Sequence, residues 1–242
     1  MDSAHPLRWK RPVIAILLFG VSFGYVEAAV VTYLRPQFDA VRATFAPNSH
    51  DLFPLLSPQQ VRAAGPDTVR LVGTEIAREA ATLLMLGAVA AAAGGNYRQW
   101  FAFFMLAFGA WDISYYAFLR VLIDWPKSLL DWDILFLIPV PWSGPVLAPA
   151  LVALTMVGTG LVYLWRESSG HSIRISVVHW LGAYVGALFV LAAFIWDYRN
   201  VMGGGMPKPF HWPLFALGEI IWLIAFLHWL RYRGSREAAG AL

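Results

Sequence analysis

The 242-residue sequence contains no cysteine, which excludes disulfides, thiolate metal ligands, iron–sulfur clusters and cysteine nucleophiles. Charge is scarce as well. Asp, Glu, Lys and Arg make up 14% of the chain, against about 25% in an average soluble domain. Hydrophobic residues make up 59%. So little charge cannot coat a water-facing surface of this size, which argues against a soluble enzyme, a coiled coil or a disordered chain. No Walker loop, dinucleotide fingerprint, HExxH element or nucleophile elbow is present. The formal net charge of +3 is not a nucleic-acid footprint, because the basic residues sit in tails and short connections, where membrane topology places them. The expected partner is a lipid bilayer, not nucleic acid.

The apolar residues gather into six runs, 13–34, 71–93, 100–123, 147–165, 176–196 and 212–230. Each is long enough to cross about 30 Å of hydrocarbon at roughly 1.5 Å per residue. This pattern predicts an all-α, polytopic integral membrane protein, a single transmembrane domain over 1–242 with six transmembrane helices in a bundle. The first run reads as a retained helix rather than a signal peptide, since it is long, carries Glu27 and lacks a small-x-small cleavage site. The connection 124–146 is different. Its apolar stretch 134–138 is too short to span, and Pro139, Pro141 and Pro145 forbid a continuous helix, so an interfacial or re-entrant segment is expected.

Short connections (94–99, 166–175) alternate with longer ones (35–70, 124–146, 197–211). Arg8, Lys10, Arg11, Arg98, Arg166, Arg174, Arg231, Arg233 and Arg236 mark the short-connection face as cytoplasmic. The expected location is the cell inner (plasma) membrane, multi-pass, with N- and C-termini cytoplasmic. Gly20 with Gly24, and Gly182 with Gly186, have the small-xxx-small spacing that lets helices approach closely.

Ionisable residues inside the apolar runs are the sharpest signal: Glu27, Glu75, Glu79, Asp112 and Glu219, joined by Arg78. Insertion scales put a charged residue at mid-helix at about 2.5–3.5 kcal/mol, so several together cost on the order of 10 kcal/mol before compensation. Such groups face the protein interior, pair with one another, or do chemistry. Counted from the outer helix ends, the five acids lie roughly 6–17 Å deep, in one slab. Glu75, Arg78 and Glu79 share one helical face. One guanidinium cannot balance five acids, so the surplus must carry protons or hold a cation.

This pattern makes Glu27, Glu75, Glu79, Asp112 and Glu219 candidate metal ligands, Arg78 the charge-balancing anchor, and Glu79, Asp112 and His211 the candidate catalytic groups. Asp133 and His211 are expected at the site mouth. An all-oxygen donor set suits a divalent metal such as Mg, Mn, Ca or Fe. His179 and His228 lie at matching depth but adjoin Trp180 and Trp229, which suits an interfacial belt better than haem ligation. Trp111, Trp132 and Trp142 are candidates to wall an apolar pocket. Three functions follow as expectations: a membrane-embedded metal-dependent enzyme acting on an apolar or lipid-like substrate; a proton- or cation-coupled transporter of small solutes; and a structural or assembly subunit whose acids meet a second copy or a partner subunit.

Overall fold

A computed structural model describes residues 9–45, 52–53, 56–169, 175–203 and 208–231. Arg8, Arg174, Arg233, Arg236, His5, His50, His171 and residues 204–207 lie outside the described residues. The helices are α1 (Lys10–Leu34), α2 (Asp39–Phe45), α3 (Pro58–Ala63), α4 (Pro66–Ala93), α5 (Tyr97–Ile123), α6 (Leu147–Ser168), α7 (Val177–Ile195), α8 (Tyr198–Met202) and α9 (Trp212–Arg231). A 3₁₀ turn, Arg35–Phe38, joins α1 to α2. Among the described residues, six helical stretches, built on α1, α4, α5, α6, α7 and α9, are long and apolar enough to cross a membrane. Each begins or ends within a few residues of the apolar run that foretold it.

Local chemistry sets the boundaries of the central helices. Gly65 adopts φ +108, a conformation that favours glycine, and Pro66 then supplies the pre-set φ of a first helical residue. The Asn96 side-chain oxygen accepts from the N–H groups of Arg98 and Gln99 at 3.0 and 3.1 Å, capping α5. That helix stops where Asp124 turns left-handed, at φ 54.

The chain divides into two compact units, Met1–His171 with Asp197–Lys208, and Ser172–Trp196 with Pro209–Leu242. In the first unit α1 lies directly on α5. A Cβ on Gly20 would stand 2.8 Å from the Ala107 carbonyl oxygen, and one on Gly24 would stand 2.8 Å from that of Trp111. Larger side chains here would push the helices apart. Because both contacts advance together along the two helices, α1 and α5 run in the same direction, as the single intervening span, α4, requires. On the other side of α5, Gly109 and Gly160 bring α6 close, with hypothetical Cβ contacts of 2.7 Å to the Ala153 oxygen and 2.9 Å to the Ala102 oxygen. In the second unit, Gly186 abuts Gly218 and Gly182 abuts Ala225, so α7 and α9 pack antiparallel.

The fold is nearly all-α, as expected, and the connection between α5 and α6 is the exception. It folds as a β-hairpin, β1 (Trp132–Phe136) antiparallel to β2 (Trp142–Pro145), pairing Asp133 with Gly144 and Phe136 with Trp142. A register irregularity between Ile134 and Phe136 inserts one extra residue. Side chains alternate faces along a strand, so an odd spacing would put Asp133 and Phe136 on opposite faces. The inserted residue turns Phe136 back onto the face of Asp133 and Trp142. Burial agrees: within β1, Asp133 and Phe136 are the two buried residues.

Candidate functional site

The first unit brings Glu27, Glu75, Arg78, Glu79, Asp112 and Asp133 into one neighbourhood, contributed by α1, α4, α5 and the hairpin. Arg78 lies between two helices. Its Nη1 donates to Glu27 of α1 at 2.5 Å, while Nε and Nη2 form a fork on Glu75, one turn earlier in α4, at 2.9 and 2.5 Å. The same Nη1 reaches the Thr82 hydroxyl at 3.2 Å. A planar guanidinium with five donors suits this double engagement, which an ammonium would not reproduce. Glu79 shares electrostatic contact with Glu27, Glu75 and Arg78, but its hydrogen bond goes elsewhere. Its Oε2 accepts the backbone N–H of Leu137, just beyond β1, at 2.8 Å. Glu79 thereby ties the hairpin to the middle of α4.

Asp112 and Asp133 form the second half of the site. Asp133 is buried and well supplied with donors: the Tyr116 hydroxyl reaches its Oδ2 at 3.0 Å, and the Ile134 N–H reaches its Oδ1 at 2.9 Å. Asp112 is 6% exposed, and its Oδ2 has no hydrogen-bond partner. Asp133 lies within electrostatic reach of Asp112. Tyr115 stacks on Trp111, ring centroids 6.4 Å apart. Trp111, the residue before Asp112, sits among aromatic rings. Trp111 contacts Phe108 at 5.2 Å and Phe136 at 6.3 Å between ring centroids, and Phe136 contacts Trp142 at 5.4 Å.

These contacts revise the five-carboxylate ligand set. Arg78 occupies Glu27 and Glu75, Glu79 holds a backbone amide, and Glu219 belongs to α9 in the second unit, where it is half-buried. Among the described residues, no group of three or more His, Asp or Glu side chains stands in an arrangement that could hold a metal ion. His211 also belongs to the second unit. Its Nδ1 accepts the Leu214 N–H at 3.3 Å at the start of α9, and its ring packs 4.7 Å from that of Trp196. It serves there as a helix cap.

The histidines named for haem bond to each other. His179 Nδ1 accepts the backbone N–H of Ser176 at 3.1 Å, so its Nε2 carries the ring proton and donates to His228 Nδ1 at 3.0 Å.

Tyr115, Tyr116, Thr82 and the Leu137 amide were not singled out from sequence. Tyr116 stands four residues after Asp112 and Thr82 four after Arg78, the helical spacing that shares a face, and this was the available signal. The Leu137 amide had none. Fold and site together define a multi-pass, membrane-type helical protein with buried carboxylates. Comparison with protein-family models, characterised proteins and solved structures finds no match to this chain.

Proposed function

We propose that the first unit is a membrane-embedded enzyme acting on an apolar, lipid-like substrate by acid–base chemistry at Asp112 and Asp133. The observation that carries the reading is the contrast within this pair. Asp133 is held as an acceptor by two donors, whereas the neighbouring Asp112 has a buried oxygen with none. Two carboxyl groups in unlike surroundings provide one group suited to giving a proton and one suited to taking it. Asp112, facing a like charge without a donor, must bear a proton or a cation. The chemistry is assigned to the carboxyl groups themselves: Arg78 engages Glu27 and Glu75, Glu79 holds the Leu137 amide, and among the described residues no three His, Asp or Glu side chains are arranged to hold a metal ion.

Aromatic walls at Trp111, Phe136 and Trp142 favour an apolar substrate, and entry from the bilayer suits six spans. The chain is placed in the inner (plasma) membrane with both termini cytoplasmic, on the strength of the basic residues beside its short connections.

The test uses the full chain in nanodiscs, incubated with an isotope-labelled total membrane lipid extract. Wild type should change the mass or chromatographic retention of one lipid class. Asp112→Asn should lower that conversion by about a hundredfold or more. Unaltered lipids, together with solute accumulation driven by a pH gradient in proteoliposomes, would replace the enzyme by a transporter. Unaltered lipids with a stoichiometric co-purifying chain would replace it by an assembly subunit.

A further inference from the structure

Gly182 and Gly186 bring α7 close against α9, and three residues before Gly182 the contact turns polar. His179 Nε2 stands 3.0 Å from His228 Nδ1, with the ring centroids 5.1 Å apart. On the other side of the same ring, His179 Nδ1 accepts the Ser176 N–H at 3.1 Å and lies 2.7 Å from Ser176 Oγ. Ser176 is the N-cap of α7, and His228 lies in the last turn of α9. The middle ring is buried, whereas Ser176 and His228 at the two ends of this relay are exposed.

A neutral imidazole has one donor and one acceptor, and a backbone N–H can only donate. The Ser176 amide therefore fixes the direction of every bond beyond it. His179 Nδ1 is bare, its Nε2 carries the proton, and the His228 Nδ1 that receives it is bare. Neutral His228 then holds its own proton on Nε2, so a proton taken up from water must go to Nδ1, where it meets the His179 Nε2–H. Reversing the relay accommodates it. His228 Nδ1–H then donates to His179 Nε2, the His179 proton moves from Nε2 to Nδ1, and Nδ1–H donates to Ser176 Oγ. The ring pair gains one proton and one positive charge, and the Ser176 N–H loses its acceptor.

We propose that Ser176, His179 and His228 form a proton-operated switch, in which one added proton strengthens the bond between α7 and α9 and frees the amide that opens α7. A hydrogen bond from a charged donor is roughly twice as strong as a neutral one. The bond given up in exchange lies at exposed Ser176, where water replaces it at little cost. A second proton would set N–H against N–H across the same 3.0 Å and break the link. Unperturbed imidazole changes charge near pH 6.5, so the switch works between about pH 5 and pH 8. The other titratable groups on α7 and α9 are Tyr184, Glu219 and Arg231. Tyr184 lies about 140° around α7 from His179, and Glu219 roughly 13 Å along α9 from His228. Arg231 follows His228 by one turn, and its charge is constant over this range. All three switch residues belong to the second unit, so the inference stands apart from the enzymatic reading.

The test is a titration of the full chain in nanodiscs from about pH 8 to about pH 5, with ¹⁵N-labelled histidine and serine. Ring nitrogen shifts distinguish protonated from bare nitrogens, and deuterium exchange reads the Ser176 amide. The expected result is a single step in which the His179 proton passes from Nε2 to Nδ1. In that step the Ser176 amide should exchange about tenfold faster than the change of pH alone accounts for, the loss of one hydrogen bond. His228→Gln keeps an acceptor for His179 Nε2–H but takes up no proton, so it should move the release of Ser176 to lower pH by about one unit or more. Should that variant fold poorly, the wild-type spectra still decide the matter. A His179 proton that stays on Nε2 as the first proton binds, a Ser176 amide unchanged through the step, or a wild-type midpoint in His228→Gln would overturn the proposal.

Discussion

Glu27 and Asp112 are buried to nearly the same degree, 7% and 6% exposed, and both lie on the central helices of the first unit. Their surroundings are opposite. Glu27 meets the Arg78 guanidinium, which also holds Glu75 in a two-pronged fork and touches Thr82. Asp112 meets a second acid and has an oxygen with no donor. The first arrangement closes on itself and joins α1 to α4. The second is left incomplete by the fold, which structural use alone does not explain. Burial of a carboxyl group therefore says little about its role until its partners are counted.

The comparison can be broken most forcefully at Arg78. Arg78→Ala leaves the buried Glu27 and the half-buried Glu75 without their counter-charge, and breaking a buried pair typically costs about 3–5 kcal/mol. Thermal unfolding in detergent should show a large fall in midpoint, and Glu27→Gln in the same background should restore part of it. Asp133→Asn should act on the other side of the contrast. Its amide has one oxygen for the two donors, Tyr116 and the Ile134 N–H, so stability should fall by about 1–3 kcal/mol, while lipid conversion falls by about a hundredfold. Tyr116→Phe removes one hydrogen bond to Asp133 and should cost about 1 kcal/mol by chemical unfolding, with a smaller loss of conversion than Asp133→Asn. Glu79→Gln keeps an oxygen for the Leu137 amide, so its stability should stay within about 0.5 kcal/mol of wild type. A loss as deep as that of Arg78→Ala would show that Glu79 belongs with the charged bridge rather than with the hairpin anchor.

Much of this architecture was legible in the sequence. A long apolar run has one inexpensive solution in lipid, a helix with its backbone bonded internally, so the six spans could be marked from composition. The Gly20 and Gly24 spacing foretold a close approach, and the structure supplies the partner, α5. Helical spacing was legible too: Glu75 and Arg78 share a face and pair, and Glu27 of α1 joins them.

The rest depended on pairing. Residues 134–138 show no alternation of apolar and polar side chains, so nothing marked a strand, and the hairpin that delivers Asp133 and Leu137 was missed. Equal depth also carries no information about which helices adjoin. Glu219 and His211 matched the slab by counting, yet they reside on or beside α9, in the unit built from α7 and α9. Nor could spacing show that Arg78 spends its donors on Glu27 and Glu75 together, which changes the surplus of acids from a ligand set into a bridge and a separate pair.

The most direct measurement is the thermal unfolding midpoint of Asp112→Asn beside that of Arg78→Ala, in the same detergent. Removing a buried carboxyl that the fold leaves unsupported should leave the midpoint unchanged or raise it by a few degrees. A fall approaching that of Arg78→Ala would mean that Asp112 holds the helices together, and the proposed reactive pair would then be a structural contact.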